Sequence, residues 1–171
     1  IGIGSGGGVG RVTAEWMMTG HINEDIFSYD IKRFQKFHSE LGFIKPRITE
    51  TLGDLYGMHW PFKQHKTSRN VKTLPYHDNL KGFGACFGVS AGYERPMWFA
   101  LDGEKSEYEY SYNYQNWYPS AEYETNNTIK NVGLFDLTPF SKFEIKCDNA
   151  QEELQRICTA NIKNEIGKCT Y

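Results

Sequence analysis

Apolar and polar positions follow two different periods along the chain. Ile44, Ile48, Leu52, Leu55 and Tyr56 recur every three or four residues, which predicts a helix over 44–56 with one apolar face. Pro46 fits its first turn, where a missing N–H costs nothing. An earlier helix is predicted over 8–19, with Val12, Trp16 and Met17 on one side and Gly20 as its stop. The glycines ahead of it read as a turn, and a short helix is expected over 31–37. Over 82–99 the texture becomes strand-like with glycine breaks, and Tyr108, Tyr110, Tyr112 and Tyr114 then alternate at period two. Past Trp117, Ser120 is placed to cap a helix carrying Glu122 and Glu124 in its first turn. Strands are expected over 133–137 and 142–147. A last helix starts at Asp148, with Asp148 and Gln151 as a capping box and Ala150, Leu154, Ile157 and Cys158 as its stripe. The fold class is α+β, with a change of composition at about 100–118.

Charge and cysteine usage narrow the function classes. Lys and Arg total 19 against 21 Asp and Glu, a net charge of −2, which argues against a basic face for nucleic acid or an anionic membrane. No apolar stretch is long enough to span a membrane, and the first residues lack the basic and apolar regions of a signal peptide. Cys86, Cys147, Cys158 and Cys169 are too scattered for a disulfide framework and read as buried, reduced thiols. The sequon Asn126-Asn127-Thr128 reads as chance.

Several motifs match chemistry on paper and fail on context. Gly2, Gly4 and Gly7 spell G-x-G-x-x-G, but no strand precedes them and no second strand ends in a ribose-binding acid. Glycines 6, 7, 8 and 10 do permit close backbone approach to a ligand, with a helix N-terminus offering free N–H groups; a tight strand-to-helix turn explains them equally well. "GVSAG" around Ser90 imitates a nucleophile elbow. Pro96 interrupts the helix that motif needs, and all five histidines precede the serine. No histidine or cysteine pair has a metal-ligand spacing. The tyrosine run reads as packing before ligand stacking, and Arg95, among aromatics and next to Glu94, fits a stacked and paired domain contact as well as a substrate clamp. Residue chemistry alone reaches no self-contained active site.

Three stretches together resemble one family. They are "GSGGGVGRVTAEWMMTGH" with "YDIKRF"; "HWPF" through "RNVKTLPYHDNL" and "GYERPMWF"; and "NWYPSAEYE" running into "VGLFDLTPFSKFEIK". The chain is identified by them as a member of the FAD-dependent dimethylglycine and sarcosine dehydrogenases. The resemblance implies an internal fragment of a multidomain flavoenzyme, and both ends read as cut. Residues 1–22 would end the FAD domain, 23–114 would form a middle domain, and 115–171 would open an aminomethyltransferase-like folate domain. Ile3, Gly4, Ser5, Gly6, Gly7, Gly8 and Val9 would pass close to the flavin. No catalytic residue is carried over, and Asp136 reads as structural.

The implied reaction oxidises an N-methylglycine at FAD and passes the one-carbon unit to tetrahydrofolate. The electron acceptor is left open, and the compartment would be bacterial cytoplasm or mitochondrial matrix. Non-catalytic relatives that regulate pyruvate dehydrogenase phosphatase share this layout and stand as the alternative. A binding module built on the tyrosine strand is a third reading.

Overall fold

The computed structural model describes residues 2–171; Ile1 lies outside it. Its first element is α1 (Gly2–Thr19), six residues longer at its start than the pattern predicts. The expected glycine turn is therefore not formed: all six glycines up to Gly10 lie in the helix. Intrahelical hydrogen bonding takes the run instead, against a propensity cost near 1 kcal/mol per glycine. Gly20 ends the helix as expected, at φ +76°, its N–H donating to the Trp16 carbonyl at 2.8 Å. No residue of α1 is buried, and Met17 on the expected inner face is 83% exposed.

The helix expected over 31–37 resolves into 3₁₀ turns at Ile31–Arg33 and Lys36–Ser39, following one at Phe27–Tyr29. Asp30 and Phe34 are extended, and the Asp30 carboxylate accepts from the Lys32 N–H, which closes a local turn in place of a helix. Helix α2 (Leu41–Asp54) starts three residues early, because Phe43 is drawn in against the rings of Phe37 and His38 at 5.3 and 5.1 Å. Pro46 thereby becomes the sixth residue of the helix and not part of its first turn.

The centre of the molecule is a hairpin. After a short α3 (His77–Gly82), strands β1 (Ala85–Ser90) and β2 (Tyr93–Phe99) pair antiparallel, with a bulge between Cys86 and Phe87. The two turn residues, Ala91 and Gly92, both have positive φ, as a twist-matched two-residue hairpin requires. Ser90 thus ends a strand at a hairpin turn, and no nucleophile elbow exists there. Leu74, Ala85, Cys86 and Trp98 form the apolar core, with Glu94 and Ser120 buried beside it. Helix α4 (Tyr118–Lys130) packs against β2, and the Glu124 carboxylate accepts from the Phe99 N–H at 2.8 Å. Ser120 is the third residue of α4, not its cap. It is fully buried, and its hydroxyl donates to Glu104 at 3.3 Å.

Three predicted strands do not form. Residues 108–114 run irregularly, held by Ser111 N–H to Gln115 and by Asn116 to the Glu107 carbonyl. Residues 133–137 and 142–147 are also irregular, and Leu134 and Phe143 are almost fully exposed. Alternation prepares a face, but a strand also needs a backbone partner, and β1 and β2 satisfy one another. Helix α5 (Ala150–Ile157) begins after Asn149, without a side-chain cap, so the Asp148 capping box is absent. Only Cys86 is a buried thiol; Cys147, Cys158 and Cys169 are exposed because their segments join no packed layer.

The result is a small mixed assembly of helices around a two-stranded sheet. Its accessible surface is 14112 Å², against roughly 8,600 Å² for a compact monomer of this mass.

Candidate functional site

The residues expected at the flavin, Ile3 to Val9, lie along the exposed first half of α1. A Cβ added at Gly4, Gly6, Gly7 or Gly8 meets nothing within 4 Å. The chain itself gives no reason for these glycines, so they leave open room along one helix.

The polar centre of the fold lies beside the hairpin. Arg69 reaches in from the segment after α2 and donates Nε to Glu94 Oε1 at 2.7 Å, with Nη2 on Oε2. Its remaining donors go to the carbonyls of His65 at 3.1 Å and Phe87 at 3.0 Å. The Asn70 N–H adds a bond to Glu94 at 2.8 Å. Burial alone would raise the Glu94 carboxyl, which is only 2% exposed, but these donors hold it below the usual carboxylate range. Arg69 is raised in turn, chiefly by its hydrogen bonds to Glu94. With every partner satisfied, the pair is a structural joint.

A cavity of about 630 Å³ opens next to it, lined among others by His77, Lys81, Cys86, Tyr108 and Tyr110. Desolvation pushes the Cys86 thiol up to about 11, so it is neutral and a poor nucleophile. Burial raises the Tyr108 phenol as well. Tyr108 and Tyr110 stack at 5.5 Å, and the Tyr110 hydroxyl accepts from the Gln64 N–H at 2.8 Å. The Tyr112 hydroxyl donates to the His59 carbonyl at 3.0 Å. Tyr108 and Tyr110 are thus engaged in packing, as the run suggested, while Tyr112 and Tyr114 are 62% and 80% exposed. Arg95 lies 5.1 Å from the Phe140 ring, while its neighbour Glu94 is taken by Arg69. The Asp136 side chain accepts from the Thr138 hydroxyl and N–H, a local turn that lowers its carboxyl.

One grouping escaped the spacing rules, which considered only histidine and cysteine pairs. Glu50 and Asp54 stand one turn apart on α2, and His65 folds back beside them, with the three ligand atoms within 4.8 Å of one another. Burial opposes ionisation of Glu50. The Thr67 hydroxyl and the Lys66 and Thr67 N–H groups nevertheless hold its carboxyl at about 2. Those bonds pin the loop that carries His65. The legible signal was the i, i+4 carboxylate pair followed by a histidine.

Comparison with known proteins places these elements in a family. Residues 19–73 match the FAD dependent oxidoreductase central domain, and residues 76–171 match the GCVT N-terminal domain. The chain is 40% identical over 164 residues to 4-methylaminobutanoate oxidase (formaldehyde-forming) of Paenarthrobacter nicotinovorans, covering 96% of this chain and 20% of that protein. It is 30% identical over 180 residues to the mitochondrial pyruvate dehydrogenase phosphatase regulatory subunit of Mus musculus, covering 99% and 20%. With mitochondrial dimethylglycine dehydrogenase of Rattus norvegicus it shares 27% over 171 residues, covering 98% and 20%. The chain therefore spans about a fifth of the length of the curated relatives it matches. Carrying these two domains in this order, the chain belongs to the FAD-dependent dimethylglycine and sarcosine dehydrogenase family.

Proposed function

We propose that the chain is part of a longer FAD-dependent enzyme that oxidatively demethylates an N-methylated amino acid. The observation that carries this reading is the succession of an oxidoreductase central domain and a GCVT N-terminal domain along one chain. In such an enzyme FAD would accept the hydride from the N-methyl carbon, and tetrahydrofolate would take the one-carbon unit. The substrate would be dimethylglycine or sarcosine, with a longer methylamino acid as the competitor suggested by the 40% relative. The compartment would be the bacterial cytoplasm or the mitochondrial matrix.

This chain's own contribution to the flavin would be the surface of α1 from Ile3 to Val9. The glycines there leave room for a group from another domain to approach the backbone. Residues 1–22 would end the flavin domain. The change of composition puts the next division at 114–115, while the matched domains meet between 73 and 76; limited proteolysis of the whole protein decides between them.

The test uses the whole protein. Flavin absorbance should bleach anaerobically on adding dimethylglycine, sarcosine or 4-methylaminobutanoate, and the fastest of the three names the substrate. A Gly7→Leu variant should lose flavin; unchanged flavin content would refute the proposed contact. A regulatory role is the second reading, favoured by 30% identity across 99% of the chain to a phosphatase regulatory subunit. It would be adopted if no amine reduced the flavin and the protein altered phosphatase activity instead.

A further inference from the structure

We propose that Glu50, Asp54 and His65 form a binding site for a single divalent transition-metal cation of the zinc class. The site stands apart from the α1 surface and does not depend on the proposed demethylation.

Its geometry comes from two local devices. The helical period puts Glu50 and Asp54 on one face of α2. Glu50 then captures the Lys66 N–H at 2.6 Å and the Thr67 N–H at 2.9 Å, which lays the preceding residue, His65, across that face. His65 Nδ1 ends 3.8 Å from Glu50 Oε1 and 4.0 Å from Asp54 Oδ2. These separations are too long for hydrogen bonds. A tetrahedral ion with bonds near 2.0–2.1 Å holds its ligand atoms roughly 3.4 Å apart, so His65 would have to approach each carboxylate by about half an ångström, and all three ligand atoms, now within 4.8 Å of one another, would have to draw in to that spacing.

The ligand atoms also have capacity to spare. No hydrogen bond reaches Asp54 Oδ2 or His65 Nδ1 among the described residues, and Glu50 Oε1 accepts only one. His65 is 43% exposed, which leaves a fourth position open to water. One imidazole with two carboxylates suits zinc, cobalt or manganese better than calcium or magnesium, which prefer oxygen alone. One group opposes the ion: Lys63 Nζ sits 2.6 Å from Asp54 Oδ1 and serves as the counter-charge. Removing that ammonium should favour the metal.

The full chain, stripped with a chelator, would be titrated with cobalt(II) and then zinc(II). The expected result is one equivalent of cobalt with visible ligand-field bands and no thiolate charge-transfer band, displaced by zinc. His65→Gln and Asp54→Asn should each weaken binding at least about tenfold, with circular dichroism unchanged. Lys63→Met should tighten it, a gain that a misfolded variant would not give. A thiolate band would assign the metal to the exposed cysteines and overturn the proposal, as would affinity unchanged in all three variants.

Discussion

Arg69 and Glu94 bind each other across the join between the two matched domains, with Arg69 in the first and Glu94 in the second. The pair does not stand alone. The Glu94 N–H donates to the Lys72 carbonyl at 2.8 Å, and Gln64 accepts from the Val89 N–H at 2.9 Å. Segments that match different families are thus sewn together around the hairpin, and the ion pair is the deepest stitch.

Breaking that pair should be severe. Arg69→Met leaves Glu94 buried and uncompensated, with two carbonyls short of donors, and should cost about 3–5 kcal/mol in urea denaturation. The double variant Arg69→Met, Glu94→Leu should recover a large part of the loss. Equal damage in single and double variants would show that the charge pairing is not what matters.

Acid should loosen the return loop at Glu50. Its folded carboxyl lies at about 2 against an ordinary 4.5, a depressed value, so the stabilisation is complete above about pH 4.5. It is lost as the pH falls towards 2. Glu50→Gln should flatten that part of the stability profile and cost about 1–3 kcal/mol at neutral pH. An unchanged acid limb in the variant would contradict the assignment.

The glycines of α1 should separate two requirements. Because a Cβ at Gly7 meets open space, Gly7→Ala should raise the helicity of the isolated chain by circular dichroism. Its gain for the helix should be about 0.5–1 kcal/mol. The bulkier Gly7→Leu is expected to harm flavin retention in the whole protein, so a local gain and a functional loss would arise at one position.

Thiol labelling should divide the cysteines three to one. Cys147, Cys158 and Cys169 are exposed and should react promptly at mildly alkaline pH. Cys86, buried and pushed up to about 11, should react only after denaturant is added. Four equally fast thiols would mean that the hairpin core opens readily.

The strand character of 82–99 could be read in the sequence because β-rich runs and glycine breaks are local signals, but the pairing of Ala85–Ser90 with Tyr93–Phe99 about Ala91 and Gly92 could not. Helix α2 was equally legible in its apolar spacing, but its start was not. That depended on Phe43 meeting Phe37 and His38, a contact no period encodes. The segments at 133–137 and 142–147 carry strand composition without a strand partner among the described residues, so composition overstated them. The Glu50, Asp54 and His65 grouping joins a helix face to a loop, and only the bonds from Glu50 to residues 66 and 67 bring it together. The match to the family came from long specific stretches such as "GYERPMWF", in which buried Glu94 and Trp98 both sit.

The large exposed surface has a calorimetric consequence. An unfolded chain of this mass exposes about 28,600 Å², so folding to 14112 Å² removes only about half of it, where a compact domain removes about 70%. Heat capacity follows the surface hydrated on unfolding, so its increment per residue should fall well below the usual ~12–15 cal/mol/K. The stability curve of the isolated chain is then shallow, and its melting broad. Any body that covers Leu134, Phe135, Phe143 or the apolar side of α1 would reveal itself by a large negative heat-capacity change on association.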